Sequence, residues 1–361
     1  MIRIVAFLLM FLGACASPDF AAPTLDEAVV AAERKAAIED AMETALSRRA
    51  RVYDLSWPIL TANTELCPKV LPSLGTVLAD RKQLARLAGG LREKELDFIG
   101  VPDELTIMHV MAGSPADRAG IPSGARLLAV EGEAVEEPKD AADKIRERTK
   151  EEDPVTLTIA DGAGRRDVTL SGVDRCDYAV KISTSQAINA HAYSGDIVIY
   201  TGVIRSLEDE ALRYLISHEA AHLIAEHRAK YIRNVTVSGA VITGPVLYVA
   251  GGLADRLAGA ADEPPDISYQ ARALRLLAPW AEEFEAEADY LGLYLFARAG
   301  GDLHAAGDVF HVFSRETPAA IYARSTHPLT PERLARLRAA IDEIEAKAAA
   351  GEDLMPERVE K

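Results

Sequence analysis

The apolar positions of this chain change period several times, and each change predicts a different kind of element. An unbroken apolar run from Ile4 to Leu12 follows Met1 and Arg3 and precedes the small residues Gly13 and Ala14. One early cation, a short apolar stretch and small residues read as an export signal, and the run is too short to cross a bilayer as a stable helix. From about Thr24 to Arg51 the chain is rich in Ala and in charge at helical spacing, which predicts a surface helix. Between Val52 and Arg92 more helix is expected, interrupted at Pro58, Pro68 and Pro72, because a proline ring lacks a donor and clashes with the preceding turn. From about Glu95 to Asp174 the pattern becomes that of short strands, as in Leu105–Val110 and Val155–Ile159, with turn residues between them. After Tyr178 a strand pattern gives way to long helices. Val235–Ala250 is almost wholly apolar but contains Gly239, Gly244 and Pro245. It is short for a span, so a flap or buried hairpin near a cleft is the preferred expectation, a dip into a bilayer the other.

Composition narrows the class. At 361 residues, with 49% hydrophobic and 27% charged positions, two folded units of an ordinary globular protein are expected. A net charge of -16 and a pI near 5.0 disfavour nucleic acid and anionic membrane surfaces as partners. Besides Cys15, the only cysteines are Cys67 and Cys176, at the two edges of the strand-rich segment. They are expected to pair across its base, with two separate buried thiols as the alternative.

Candidate chemistry sits in the helical part. Ser206–Asp209 reads as a capping box, so a helix is predicted from near Leu207 to beyond His227. On it lies His218-Glu219-Ala220-Ala221-His222. Histidines four apart project from one helix face and can reach a single zinc ion, while Glu219 between them is placed as a general base towards water. Glu285 and Asp289 are likewise four apart on a second predicted helix, where one can ligate metal and the other can accept the free N–H of a liganding histidine.

Together these two motifs resemble the gluzincin metallopeptidases, specifically the family of HtpX and BepA, with HExxH followed by ExxxD. The resemblance implies one Zn2+ per chain held by His218, His222 and Glu285, Glu219 as general base, and Asp289 and Arg333 behind the ligands. It also implies that His327, in Ser325-Thr326-His327-Pro328, stabilises the oxyanion, and that Asn189 and Ala190 lie on a substrate-binding edge strand. His227 matches a family position and reads as structural support. Ala112–Ile121, Gly124 and Leu127–Gly132 resemble a PDZ domain of the HtrA type, with Ala125 and Glu131 departing from its usual residues. That likeness places the peptide groove beside Phe98, Ile99, Gly100 and Val101, with the helix Ala141–Arg148 as its other wall. Leu12–Cys15 resembles the bacterial lipobox, which implies acylation of Cys15, and Ala16 after it leans towards the outer membrane.

The expected fold is therefore α+β: a mainly helical gluzincin domain with a small edge sheet, plus an inserted β-rich PDZ domain. The expected division is a signal peptide over 1–14, a linker and helices over 15–94, the PDZ domain over 95–176 and the metallopeptidase over 177–361. The expected function is a periplasm-facing, lipid-anchored endopeptidase that removes misfolded envelope proteins, acting on protein or peptide substrates. A PDZ-based peptide binder or chaperone with an idle metal site is the alternative.

Overall fold

The computed structural model describes residues 23–151, 153–239, 281–316 and 331–359. The signal and lipobox segment with Cys15, the motif holding His327, and residues 240–250 of the apolar stretch lie outside these. Residues 235–239 belong to the end of a helix.

The chain begins with α1 (Glu27–Ala62), capped where the Ala28 N–H donates to Asp26 Oδ1. This helix runs through Pro58 instead of stopping there. Val52, Tyr53, Trp57, Ile59 and Leu60 flank the proline and are all buried. Their burial, about 1.5–3 kcal/mol for each large side chain, exceeds the roughly 3 kcal/mol that an interior proline costs. Pro68 and Pro72 do lie outside helix, Pro72 within β1 (Val70–Ser73). The C-terminal half of α1, expected in a separate N-terminal region, contributes Val52, Ile59 and Leu60 to the core of the helical body.

β1 pairs antiparallel with β8 (Val173–Cys176), and Cys67 and Cys176 are disulfide-bonded across 109 residues. This neck closes off the strand-rich unit. Its sheet has the order β2 (Thr76–Ala79), β3 (Thr106–Val110), β4 (Arg126–Val130), β6 (Val155–Asp161), β7 (Gly164–Leu170), and β5 (Glu133–Ala134) pairs with β4. The helices α2 (Arg81–Leu87), α3 (Glu93–Phe98), α4 (Pro115–Arg118) and α5 (Pro138–Lys150) complete it. Its core is apolar, built on Leu74, Ile107, Leu127, Leu157 and Ile159. Glu131 and Gly132, at the turn after β4, both have positive φ. Glu131 is costly there for a residue with a Cβ, and its carboxylate accepts the Thr156 N–H at 2.6 Å, which offsets part of that.

The groove expected at Phe98–Val101 is not there. These residues are the C-terminal turn of α3, where the N–H groups of Ile99, Gly100 and Val101 donate to Glu95, Asp97 and Leu96 carbonyls and cannot also receive a peptide carboxylate. The edge strand that faces α5 is β2, preceded by Ser73-Leu74-Gly75. Gly75 has φ +76, and a Cβ on it would lie 2.1 Å from Ser114 Cβ, so only glycine fits. Between β2 and α5 lies a cavity of about 350 Å3, closed on a third side by Tyr53 and Trp57 of α1. The unit thus takes its outer strand from residues upstream of the boundary expected at 95.

The helical body resumes with a three-stranded sheet in the order β10 (Ala190–Tyr193), β11 (Asp196–Tyr200), β9 (Ala179–Ser183). Then come α6 (Thr201–Ser206), α7 (Asp209–Ile224), α8 (His227–Gly239), α9 (Ala281–Arg298), α10 (Ala306–Glu316) and α11 (Pro331–Ala350). Arg51 of α1 ties α6 to α7, donating to the Ile204 and Leu207 carbonyls at 2.5 and 2.7 Å and to Asp209 Oδ1 at 2.6 Å. None of the helices among the described residues is long and apolar enough to cross a membrane.

Candidate metal centre

Two helices meet to make the site, and one glycine sets how close they come. α7 carries His218, Glu219 and His222, and α9 carries Glu285 and Asp289. Gly292 of α9 faces the backbone of α7, where an added Cβ would lie 3.0 Å from His218 Cα. Glycine inside a helix costs roughly 1 kcal/mol, so its presence there reflects this close approach.

His222 Nε2 lies 3.1 Å from His218 Nε2 and 3.5 Å from Glu285 Oε1, and His218 Nε2 lies 3.6 Å from Glu285 Oε2. A tetrahedral zinc with ligand bonds of about 2.0–2.1 Å spaces its donors about 3.3 Å apart, so this set fits the ion in both chemistry and spacing. The three residues are the one group among the described residues whose donor atoms gather in this way. Glu219, on the same helix, is 1% exposed.

Behind the donors lies a charged layer. Asp289 Oδ1 is 3.1 Å from His218 Nδ1. Arg333 of α11 holds Asp289 in a two-point grip, its Nε and Nη2 each donating at 2.7 Å, while its Nη1 lies 3.2 Å from Glu285 Oε2. Tyr214 of α7 donates to Asp289 at 3.2 Å. Burial works to raise the Asp289 carboxyl, but Arg333 and His218 hold it below its ordinary value. For His218 burial acts downward, and its contacts with Asp289 and Glu285 carry the pKa up to about 10, so without metal the cluster favours a proton there. The carboxylates that favour a positive charge on this ring also suit a bound metal ion.

The helix carrying the two histidines is shorter than its pattern predicts. It starts at Asp209, because Leu207 is extended and the Ser206 hydroxyl donates back to the Gly202 carbonyl instead of capping α7. It ends at Ile224, and Glu226 takes φ +52 before α8 begins at His227. On a continuous helix His227 would stand about 140° around the axis from His222. The left-handed residue turns it back, so that His227 Nδ1 lies 2.8 Å from His222 Nδ1.

Of the residues singled out in the sequence, the structure brings together His218, Glu219, His222, Glu285, Asp289 and Arg333. Ala190 begins β10, an edge of its sheet, and Asn189 precedes it, its carbonyl accepting from Tyr200 N–H. Strand alternation then aims the backbone groups of Ala190 and Ala192 away from β11. Phe98–Val101 are far from any such role, and His327 and Cys15 lie outside the described residues. Sequence reasoning missed Gly292, Glu287 and Tyr214. A glycine inside the amphipathic ExxxD helix was the one available signal.

The fold and this site define a helical body whose two facing helices gather a His/His/Glu donor set suited to a metal ion, carrying an inserted strand-rich unit. Residues 162–341 match the model of peptidase family M48, and residues 106–161 match that of the PDZ domain. Its curated relatives include the mitochondrial metalloendopeptidase OMA1 of Schizosaccharomyces pombe, 24% identical over 54% of this chain and 55% of that protein. OMA1 of Arabidopsis thaliana is 30% identical over 45% of this chain and 31% of that protein, and that of Bos taurus 26% identical over 46% and 31%. The chain thus spans about half the length of the first relative and a third of the others. Among solved structures, the HtrA3 PDZ domain bound to a phage-derived ligand matches 29% of this chain and 88% of that one, at 16% identity and a TM-score of 0.22.

Proposed function

We propose that this chain is a zinc-dependent endopeptidase of the bacterial cell envelope that hydrolyses misfolded or unassembled envelope proteins. The observation that carries the reading is the convergence of His218, His222 and Glu285 beside a buried Glu219. A structural metal site has no use for that carboxylate. The relatives' names, metalloendopeptidase in each case, support the same chemistry.

A zinc ion held by His218, His222 and Glu285 would supply Lewis acidity, lowering the pKa of water and polarising the scissile carbonyl. Glu219 takes the proton from the attacking water and passes it to the leaving amine. Asp289 fixes the His218 ring, and Arg333, paired with both Asp289 and Glu285, holds the two carboxylates in place. The outer edge of β10, beside Asn189 and Ala190, offers backbone groups to which an extended peptide adds as a strand. His327 is assigned the oxyanion by family resemblance. The PDZ domain selects substrates or gates their access, and the β2/α5 cavity suits that role better than residues 98–101. Export, acylation at Cys15 and an outer-membrane, periplasm-facing location complete the proposal. The Cys67–Cys176 bond supports an oxidising compartment.

The test is zinc content and casein cleavage of the purified chain and of Glu219→Gln. The reading expects one zinc in both and cleavage lowered by about 10²–10⁴-fold in the variant. Zinc-loaded wild type that cleaves no protein, or a variant as active as wild type, refutes it.

A further inference from the structure

The two metal-binding histidines are held from behind by different means. His218 rests on the carboxylate of Asp289. His222 meets another imidazole, His227, at 2.8 Å between Nδ1 atoms, and His227 Nε2 lies 3.0 Å from Glu287 Oε2. His227 is 4% exposed, and its ring stacks on Phe284 at 4.7 Å and 17°. Phe284 and Glu287 both belong to α9, the helix that also supplies Glu285.

We propose that His227 and Glu287 form a one-way hydrogen-bond relay that fixes the ring of His222 for metal binding, an inference that rests on the metal reading above. The direction follows from counting hydrogens. To give its Nε2 lone pair to a metal, neutral His222 carries its hydrogen on Nδ1 and donates it. His227 Nδ1 is therefore the acceptor. Its own hydrogen sits on Nε2 and is donated to the Glu287 carboxylate. The left-handed turn at Glu226 is what brings His227 into line, since an unbroken helix would carry it round to another face. Lys230 of α8 lies 3.3 Å from Glu287 and anchors the far end. His227 and Glu287 are thus positioning residues: they touch no substrate and act through His222.

The experiment measures zinc affinity by chelator competition, and the visible spectrum of the cobalt-loaded chain, for wild type, His227→Phe, His227→Asn and Glu287→Ala. Phe keeps the stacked ring but removes the acceptor, and Asn returns an acceptor near the Nδ1 position. Removing an outer partner of a liganding histidine weakens metal binding about 10–100-fold. His227→Phe is expected in that range with a shifted cobalt spectrum, His227→Asn to recover much of the loss, and Glu287→Ala to fall between. Thermal melting of the metal-free variants checks that the fold survives. Should His227→Phe melt early, Glu287→Ala carries the test, because Glu287 is half exposed. Wild-type zinc affinity and an unchanged cobalt spectrum in both His227→Phe and Glu287→Ala overturn the relay alone. A wild-type chain that takes up no zinc overturns the metal reading itself.

Discussion

The strand-rich unit and the helical body bury different things. The first holds its sheet with an apolar core of Leu, Ile, Val and Ala. The second has a comparable apolar core and also buries His218, Glu219, Glu285, Asp289 and Arg333 in one cluster. Burying ionised groups costs several kcal/mol each unless partners compensate, and a hydrophobic substitute would often do as well for stability. In the body the charges surround the donor set of the cation site proposed above. The strand-rich unit buries scattered polar groups such as Ser114, Thr149 and Thr158, each hydrogen-bonded to a near neighbour, around an apolar core.

Four substitutions probe this difference, beginning where the effect should be greatest. Arg333→Ala leaves Asp289 and Glu285 buried with their main cation gone, so the metal-free chain should lose about 3–5 kcal/mol in denaturant unfolding. A change under 1 kcal/mol would show that the charges are not interdependent. Leu157→Ala, in the apolar core, should cost about 2–5 kcal/mol through transfer and cavity terms, with zinc affinity unchanged. Loss of zinc along with stability would mean that the two regions do not keep separate accounts of structure and site. Gly292→Ala should push α9 from α7 by a few tenths of an ångström, costing about 1–3 kcal/mol and weakening zinc binding measured by competition. Arg126→Ala removes an exposed pair with Glu104 at 2.7 Å and should alter the melting of the strand-rich unit by less than about 1 kcal/mol.

The same contrast governs what could be read in advance. His218, Glu219 and His222 were legible because a four-residue spacing on any helix places the two imidazoles on one face. Glu285 and Asp289 followed the same rule on α9. The turn chemistry of Ser114-Pro115, Gly120 and Gly132 was legible for a similar reason, since caps and tight turns depend on a few adjacent residues. Phe98–Val101 misled because a short apolar string with a glycine suits a helix end as well as a binding loop. The actual edge strand at Thr76–Ala79 is four residues long and carries too weak a pattern to stand out. Pro58 misled in the opposite direction, because burial of its neighbours outweighs a local penalty.

By itself the sequence pointed to His218, Glu219 and His222 on one helix, to Glu285 and Asp289 on another, to the α+β class and to a pairing of Cys67 with Cys176, since each rests on residue identity and short-range spacing. Tertiary structure alone decided that α1 belongs to the body, that Glu226 breaks the active helix, that Gly292 lets two helices close on one point, and that His227 and Glu287 stand behind His222. Those outcomes depend on contacts between residues distant in sequence, where packing energy overrides local preference and no periodicity records the result.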